Sequence, residues 1–150
     1  MKVQSVGLAA FGPINPHTAG PAHAAAAFGK PDSAVQRGSV CSRHWTGLGL
    51  TIEFGVGEGE DPCGSRAGIE RITVAGSVAA DAGWRTAEGI RPGMSLTAVR
   101  RIYPEAGRQA GRELVLVEPA PGAGPGRIPV LTVTIDHGRV DGLIFPIGGG

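Results

Sequence analysis

The sequence is short of rings and of charge. Aromatic residues make up 5% and charged residues 18% of 150 positions. So few aromatics exclude the stacking platform on which single-stranded nucleic acid is bound. Fourteen Lys and Arg against thirteen Asp and Glu leave a formal net charge of +1, which excludes a histone-like basic protein and an acidic solvating tail. No apolar run reaches the roughly 18 residues of a membrane-spanning helix. The four histidines, His17, His23, His44 and His137, are scattered, and no two stand at the spacing of a zinc motif. What the chain has in excess is 26 glycines and 12 prolines, at the edge of the low-complexity range. Yet 41% of residues are hydrophobic and fall in alternating runs, so the chain reads as one folded, loop-rich domain.

There are only two cysteines, Cys41 and Cys63. With no further Cys or His at ligand distance they do not make a tetrahedral zinc site. A disulfide between them is expected, because a small Gly-rich domain gains from a staple of roughly 3 kcal/mol. That pairing points to a secreted or cell-envelope location. The stretch from Met1 to Phe11 has one charge and an apolar segment broken by Gly7, and Ala22-His23-Ala24 fits a small-x-small cleavage pattern. The segment is too short for a clear signal peptide, so the chain is expected to be a mature or truncated form or to carry a poorly formed signal.

Local patterns predict the elements. Residues 22–28 are mostly alanine, with Thr18 or Gly20 available as N-cap, Pro21 in the first turn and Gly29-Lys30-Pro31 as the stop, so a helix is expected there. A strand is expected at 39–45. Leu48, Leu50, Ile52 and Phe54 alternate, which predicts a second. Residues 55–64 form a loop and 68–75 a third strand, followed by a small-residue connector over 77–83. Ser95 is a natural N-cap, and Leu96, Val99, Ile102 and Tyr103 share one helical face, with Met94 and Val99 placed as a hydrophobic staple and Pro104 as the end. A strand at 112–118, a Pro/Gly-rich loop at 119–126, and a hairpin of 128–136 and 139–147 about His137-Gly138 complete the pattern, before a frayed tail at 148–150.

Set against each other, the halves match in outline. Pro31-Asp32 falls on Pro104-Glu105, each just after a short helix, and residues 68–74 fall near 139–145 at almost the same offset. Each half reads as a short helix, an acidic-Pro turn and about three strands. One such unit buries too little apolar surface to fold alone, so two copies, residues 1–76 and 77–150, are expected to share one core. The fold class expected is α+β, a six- to seven-stranded antiparallel sheet with short helices on one face and the other face open.

The stretch Gly89-Ile90-Arg91-Pro92-Gly93-Met94-Ser95-Leu96-Thr97-Ala98-Val99-Arg100 resembles the Gly-Met-Ser/Thr helix start of the β-lactamase inhibitor protein (BLIP) family and of the small outer-membrane assembly lipoproteins of the SmpA/OmlA type. With Trp84-Arg85-Thr86 before it and Tyr103-Pro104 after it, the pattern also resembles secreted proteins of high-GC bacteria. The resemblance covers about one-tenth of the chain and marks fold more than function. It implies short helices on an antiparallel sheet and, for the BLIP type, two tandem copies. Asn15-Pro16-His17-Thr18-Ala19-Gly20 in the first half lacks the Gly-Met pair, and no inhibitory contact residue carries over.

Candidate chemistry is thin. Glu58, Glu60 and Asp61 lack the alternating ligand spacing of a calcium loop. Cys41 and His44 are three apart, so on a strand they project to opposite faces. Ser95 has no nucleophile elbow around it, and Gly55-Val56-Gly57-Glu58-Gly59 lacks the P-loop lysine. Asp136 and Asp141 flank the hairpin turn as a carboxylate pair without an evident cleft. Arginine outnumbers lysine twelve to two, and Arg100 and Arg101, with Arg91, Arg108 and Arg112 nearby, could form a modest anion-binding face. Trp45 and Trp84 are candidate contact residues; the alternative is that they fill the junction between halves. No cofactor, metal or nucleic-acid partner is expected. The reading is a monomeric, non-catalytic, extracytoplasmic interaction or envelope-associated module with an unknown protein partner. An inhibitor of a secreted hydrolase is the runner-up, and a small secreted hydrolase using Asp136 and Asp141 is the third reading.

Overall fold

The computed structural model describes residues 1–5, 8–105, 109–119 and 126–147. A short strand, Lys2–Val3 (β1), opens the chain, followed by helix Pro21–Phe28 (α1). Four strands come next: Ser33–Arg37 (β2), Val40–Trp45 (β3), Leu50–Gly55 (β4) and Gly68–Ala75 (β5). The connector Gly76–Asp81 is a helix (α2), Arg85–Thr86 (β6) pairs in parallel with β1, and Leu96–Ile102 is a third helix (α3). Gln109–Ala110 (β7), Glu113–Pro119 (β8), Arg127–Asp136 (β9) and Arg139–Pro146 (β10) follow. The order β2-β3-β4-β5-β10-β9-β8-β7 is antiparallel at every step. Among the described residues, seven strands of this sheet have five residues or more, and β7 adds a two-residue edge. The α+β class and the antiparallel sheet with short helices are as the sequence pattern predicts.

The topology consists of two four-strand meanders, β2–β5 and β7–β10, each following a short helix and joined through β5 and β10. At that seam Gly142 faces Ala75, and a Cβ on Gly142 would lie 3.0 Å from Ala75 Cβ, Thr134 Oγ1 and the Val74 carbonyl oxygen. The hairpin that starts β10 turns at His137 (φ 51°) and Gly138 (φ 74°), the positive-φ pair a two-residue turn requires. The start of α3 is stitched to this turn: the Leu96 N–H donates to Gly138 O at 2.9 Å and the Gly93 N–H to Val140 O at 2.7 Å. Ser95 caps α3, accepting the Ala98 N–H at 3.1 Å. In α1 the cap is Gly20, whose N–H donates to His23 Nδ1 at 3.1 Å. Asp32, just before β2, accepts both the hydroxyl and the N–H of Thr46 at 2.6 Å, which holds its carboxyl below the usual carboxylate range.

One face of the sheet carries the core. Leu50, Ile52 and Phe54 of β4 alternate inward, as do Leu131, Val133 and Ile135 of β9. At its centre the rings interlock. Phe11 stacks on Trp84 at 4.7 Å and meets Phe145 edge-on at 5.8 Å, and Phe28 touches Phe11, Trp45 and Trp84 at 6.0–6.1 Å. The N-terminal segment is therefore part of the interior: Val3, Leu8, Phe11 and Ile14 are buried. Three features exceed the sequence expectation. These are strand β2, helix α2 in place of a plain connector, and this wedge of residues before α1. Phe11 touches rings from three separate parts of the chain, so Phe11→Ala is expected to cost about 3–5 kcal/mol, read as a lower denaturation midpoint in urea with an unchanged slope.

Candidate functional site

The open face is built by the residues that alternate with the core. Registers carry one row across six strands: His44, Thr51, Thr73, Ile144, Thr132 and Val115 stand opposite one another in turn. All six are half-buried by their neighbours and none carries a fixed charge. β-branched side chains dominate because they suit a pleated surface and shield one another across strands. The adjacent row, Val35, Ser42, Glu53, Arg71 and Pro146, includes a Glu53–Arg71 ion pair at 3.5 Å. At the β2 end the face dips into a groove of about 490 Å³ lined by Val35, Val40, Ser42, His44, Thr51 and Glu53, with Arg37 at its rim. His44 Nδ1 shares a hydrogen bond with Thr51 Oγ1 at 3.0 Å, which fixes the imidazole within the row.

The sequence candidates are distributed elsewhere. Trp45 and Trp84 are 3% and 1% exposed, and their indole N–H groups donate to Gly29 O and Leu48 O, both at 2.8 Å. Neither ring offers a surface to a partner, which corrects their assignment as contact residues. A large apolar ring whose N–H finds a backbone carbonyl is more stable inside. Arg100 and Arg101 are exposed on the last turn of α3, where cations complement the helix C-terminus. Arg112 is drawn away from them, pairing with Asp136 at 3.3 Å and donating from Nε to Ile135 O at 3.4 Å. Arg108 lies outside the described residues, as do the tail at 148–150 and most of the loop at 119–126.

Asp136 is also paired with His137 Nδ1 at 3.0 Å and sits at an exposed hairpin end, so its carboxylate is engaged in holding the turn. Among the described residues no three His, Cys, Asp or Glu side chains cluster as metal ligands, and no helix is long and apolar enough to cross a membrane.

Cys41 and Cys63 form a disulfide with Cα atoms 5.2 Å apart. Cys41 is fully buried on the core face, whereas His44 is on the open face, as the strand period requires. The bond ties the loop between β4 and β5 to the sheet. Arg43 adds a second tie, donating to Cys63 O at 2.7 Å while lying over the Phe54 ring at 5.6 Å. Within the loop, Glu60 accepts the Gly57 N–H at 3.2 Å and Asp61 the Cys63 N–H at 2.9 Å, so these carboxylates brace the backbone.

A second buried polar contact lies under α3. Tyr103 is 4% exposed, and its hydroxyl meets Ser5 Oγ at 3.1 Å. Burial pushes its pKa up to about 12, helped by the carboxylates of Glu88 and Glu118 and opposed by the Ser5 bond. Helical spacing assigns Tyr103 only to the core face of α3; its polar partner comes from a segment 98 residues away and has no local signal. Comparison of the chain with family models, with curated proteins and with solved structures returns no match. A disulfide of this kind is compatible with an extracytoplasmic location.

Two outcomes are expected. Replacing both Cys41 and Cys63 by Ser should lower stability by roughly 3 kcal/mol, measured by urea unfolding. Tyr103 is the single tyrosine, so tyrosinate absorbance reports it directly. Its folded-state pKa is raised, so its contribution is fully present below about pH 10 and is lost as pH rises through about 12. Native protein should ionise well above the urea-unfolded chain, and equal midpoints would contradict the burial account.

Proposed function

We propose that the protein is a non-catalytic, extracytoplasmic interaction or envelope-associated module that meets a protein partner through the open face of its sheet. The observation that carries this is the uncharged row from His44 to Val115, which spans six strands without helix cover. Such a surface loses little on desolvation, because Thr, Ile and Val bury apolar area and the Thr hydroxyls can still bond a partner. The surface is continuous because the two helix-plus-meander units, read here as copies of one ancestral half, place β5 against β10.

Inhibition of a secreted hydrolase is the second reading. It is supported by the loop between β4 and β5, which the disulfide, Arg43, Glu60 and Asp61 hold in one shape. A braced loop loses little conformational entropy on entering a cleft.

Immobilised protein exposed to the secreted and envelope fractions, with mass-spectrometric identification of what binds, tests both. Thr73→Arg or Thr132→Arg, which put a cation in the middle of the row, should reduce capture of the partner at least about tenfold with an unchanged melting temperature. Capture that survives these variants but is lost on replacing Glu60 and Asp61 by Ala favours the inhibitor reading. Turnover of a model substrate by the purified protein would overturn both.

A further inference from the structure

Among the described residues, β2 is hydrogen-bonded to β3 and to nothing on its other side, and all five of its residues are exposed. Among the described residues four large apolar side chains are exposed, Met1, Val35, Val78 and Ile102, and Val35, at 42%, is the one that lies in a strand. Edge strands are usually blunted by lysine, proline, a bulge or brevity. β2 has no Lys, no Pro and no bulge: Ser33-Ala34-Val35-Gln36-Arg37 carries a single charge, at its last residue, and its ladder with β3 runs from Ser33–His44 to Arg37–Val40 without a register shift. At the opposite edge β7 covers only Glu113 and Leu114 of β8, and the rest of β8 is blunted by a register shift between Leu116 and Val117 and by the charge of Glu118.

We propose that β2 is a self-association edge, at which a second copy of this chain adds its own β2 antiparallel about a two-fold axis through Val35. The self-complementarity of the strand selects this occupant. In that register Val35 faces Val35 of the second copy, Ala34 faces Gln36, and Ser33 faces Arg37, so no like charges stand opposite. Arg37 of each copy arrives beside Asp32, which precedes the other strand, placing a cation next to an anion. A parallel in-register pairing would instead set Arg37 against Arg37. A register one residue out would set the open face of one copy beside the helix-covered face of the other.

With Val35 on the axis, both open faces lie on the same side, and the two grooves that Val35 and Arg37 line abut. The result is one sixteen-stranded sheet, twice the eight strands of one chain. The buried surface of a five-residue edge is small, so the association is weak and depends on concentration. It replaces the monomer expected from the sequence, and it does not rest on the open face being a docking surface for another protein.

Sedimentation velocity of the oxidised protein from micromolar to millimolar concentration tests it. The mass is expected to rise from 15.2 kDa toward twice that value. Val35→Lys and Val35→Glu place like charges on the axis, and each should weaken association at least about tenfold. An equimolar mixture of the two should restore it, and Thr73→Arg, away from the edge, should leave it unchanged. Because Val35 is exposed, both variants should melt as the wild type does. A wild-type mass that stays at the monomer value, or a Val35→Lys protein that associates as the wild type does, overturns the proposal.

Discussion

The fold depends on one aromatic cluster. Phe11 comes from the N-terminal segment, Phe28 from α1, Trp45 from β3, Trp84 from the link between α2 and β6, and Phe145 from β10. Each ring is contributed by a different piece, so none of those pieces has an interior without the others. In a chain with 5% aromatics, concentrating five rings at one point gives the sheet a centre to curl around. The two indole N–H bonds to Gly29 and Leu48 then lock α1 and the turn before β4 to that centre.

This arrangement leaves the two faces of the sheet with different work. The covered face is held by buried side chains whose truncation would leave cavities in the interior. The open face has no such duty: His44, Thr51, Thr73, Thr132 and Val115 contribute little to the interior, so their chemistry can be set by what they touch. The disulfide belongs to the same division. Cys41 sits on the covered face, and the loop that Cys63 anchors is tied to that face, with Glu60 and Asp61 bracing its backbone.

Much of the architecture was legible because it follows from period and punctuation. The alternation of Leu50, Ile52 and Phe54 gives β4, Ser95 and Pro104 bracket α3, and His137-Gly138 marks its hairpin. What was hidden had no such signal. β2 is exposed along its whole length, so it lacks the alternation that identifies a half-buried strand. α2, Gly-Ser-Val-Ala-Ala-Asp, is mostly small residues, which read as a connector until Ala79 is seen packed to zero exposure. Met1 to Phe11 read as a weak leader because their apolar segment is short and broken by Gly7; the partners that fix it, Arg85 and Thr86 of β6 and the Trp84 ring, are more than 70 positions away. For the site, the tryptophans were the salient residues in the sequence and belong to the interior. The threonine row was invisible because its members come from different strands and meet only through register.

The sheet carries three register irregularities, between Glu53 and Phe54, between Leu116 and Val117, and between Val140 and Gly142. Such irregularities sharpen right-handed twist locally. Gly142 lets the two meanders close at their seam, and right-handed twist accumulated across the sheet bends the uncovered surface out of plane. A planar slab laid on a twisted sheet meets only part of it. An extended or looped contour can follow the twist, so geometry alone narrows the shapes that can rest there.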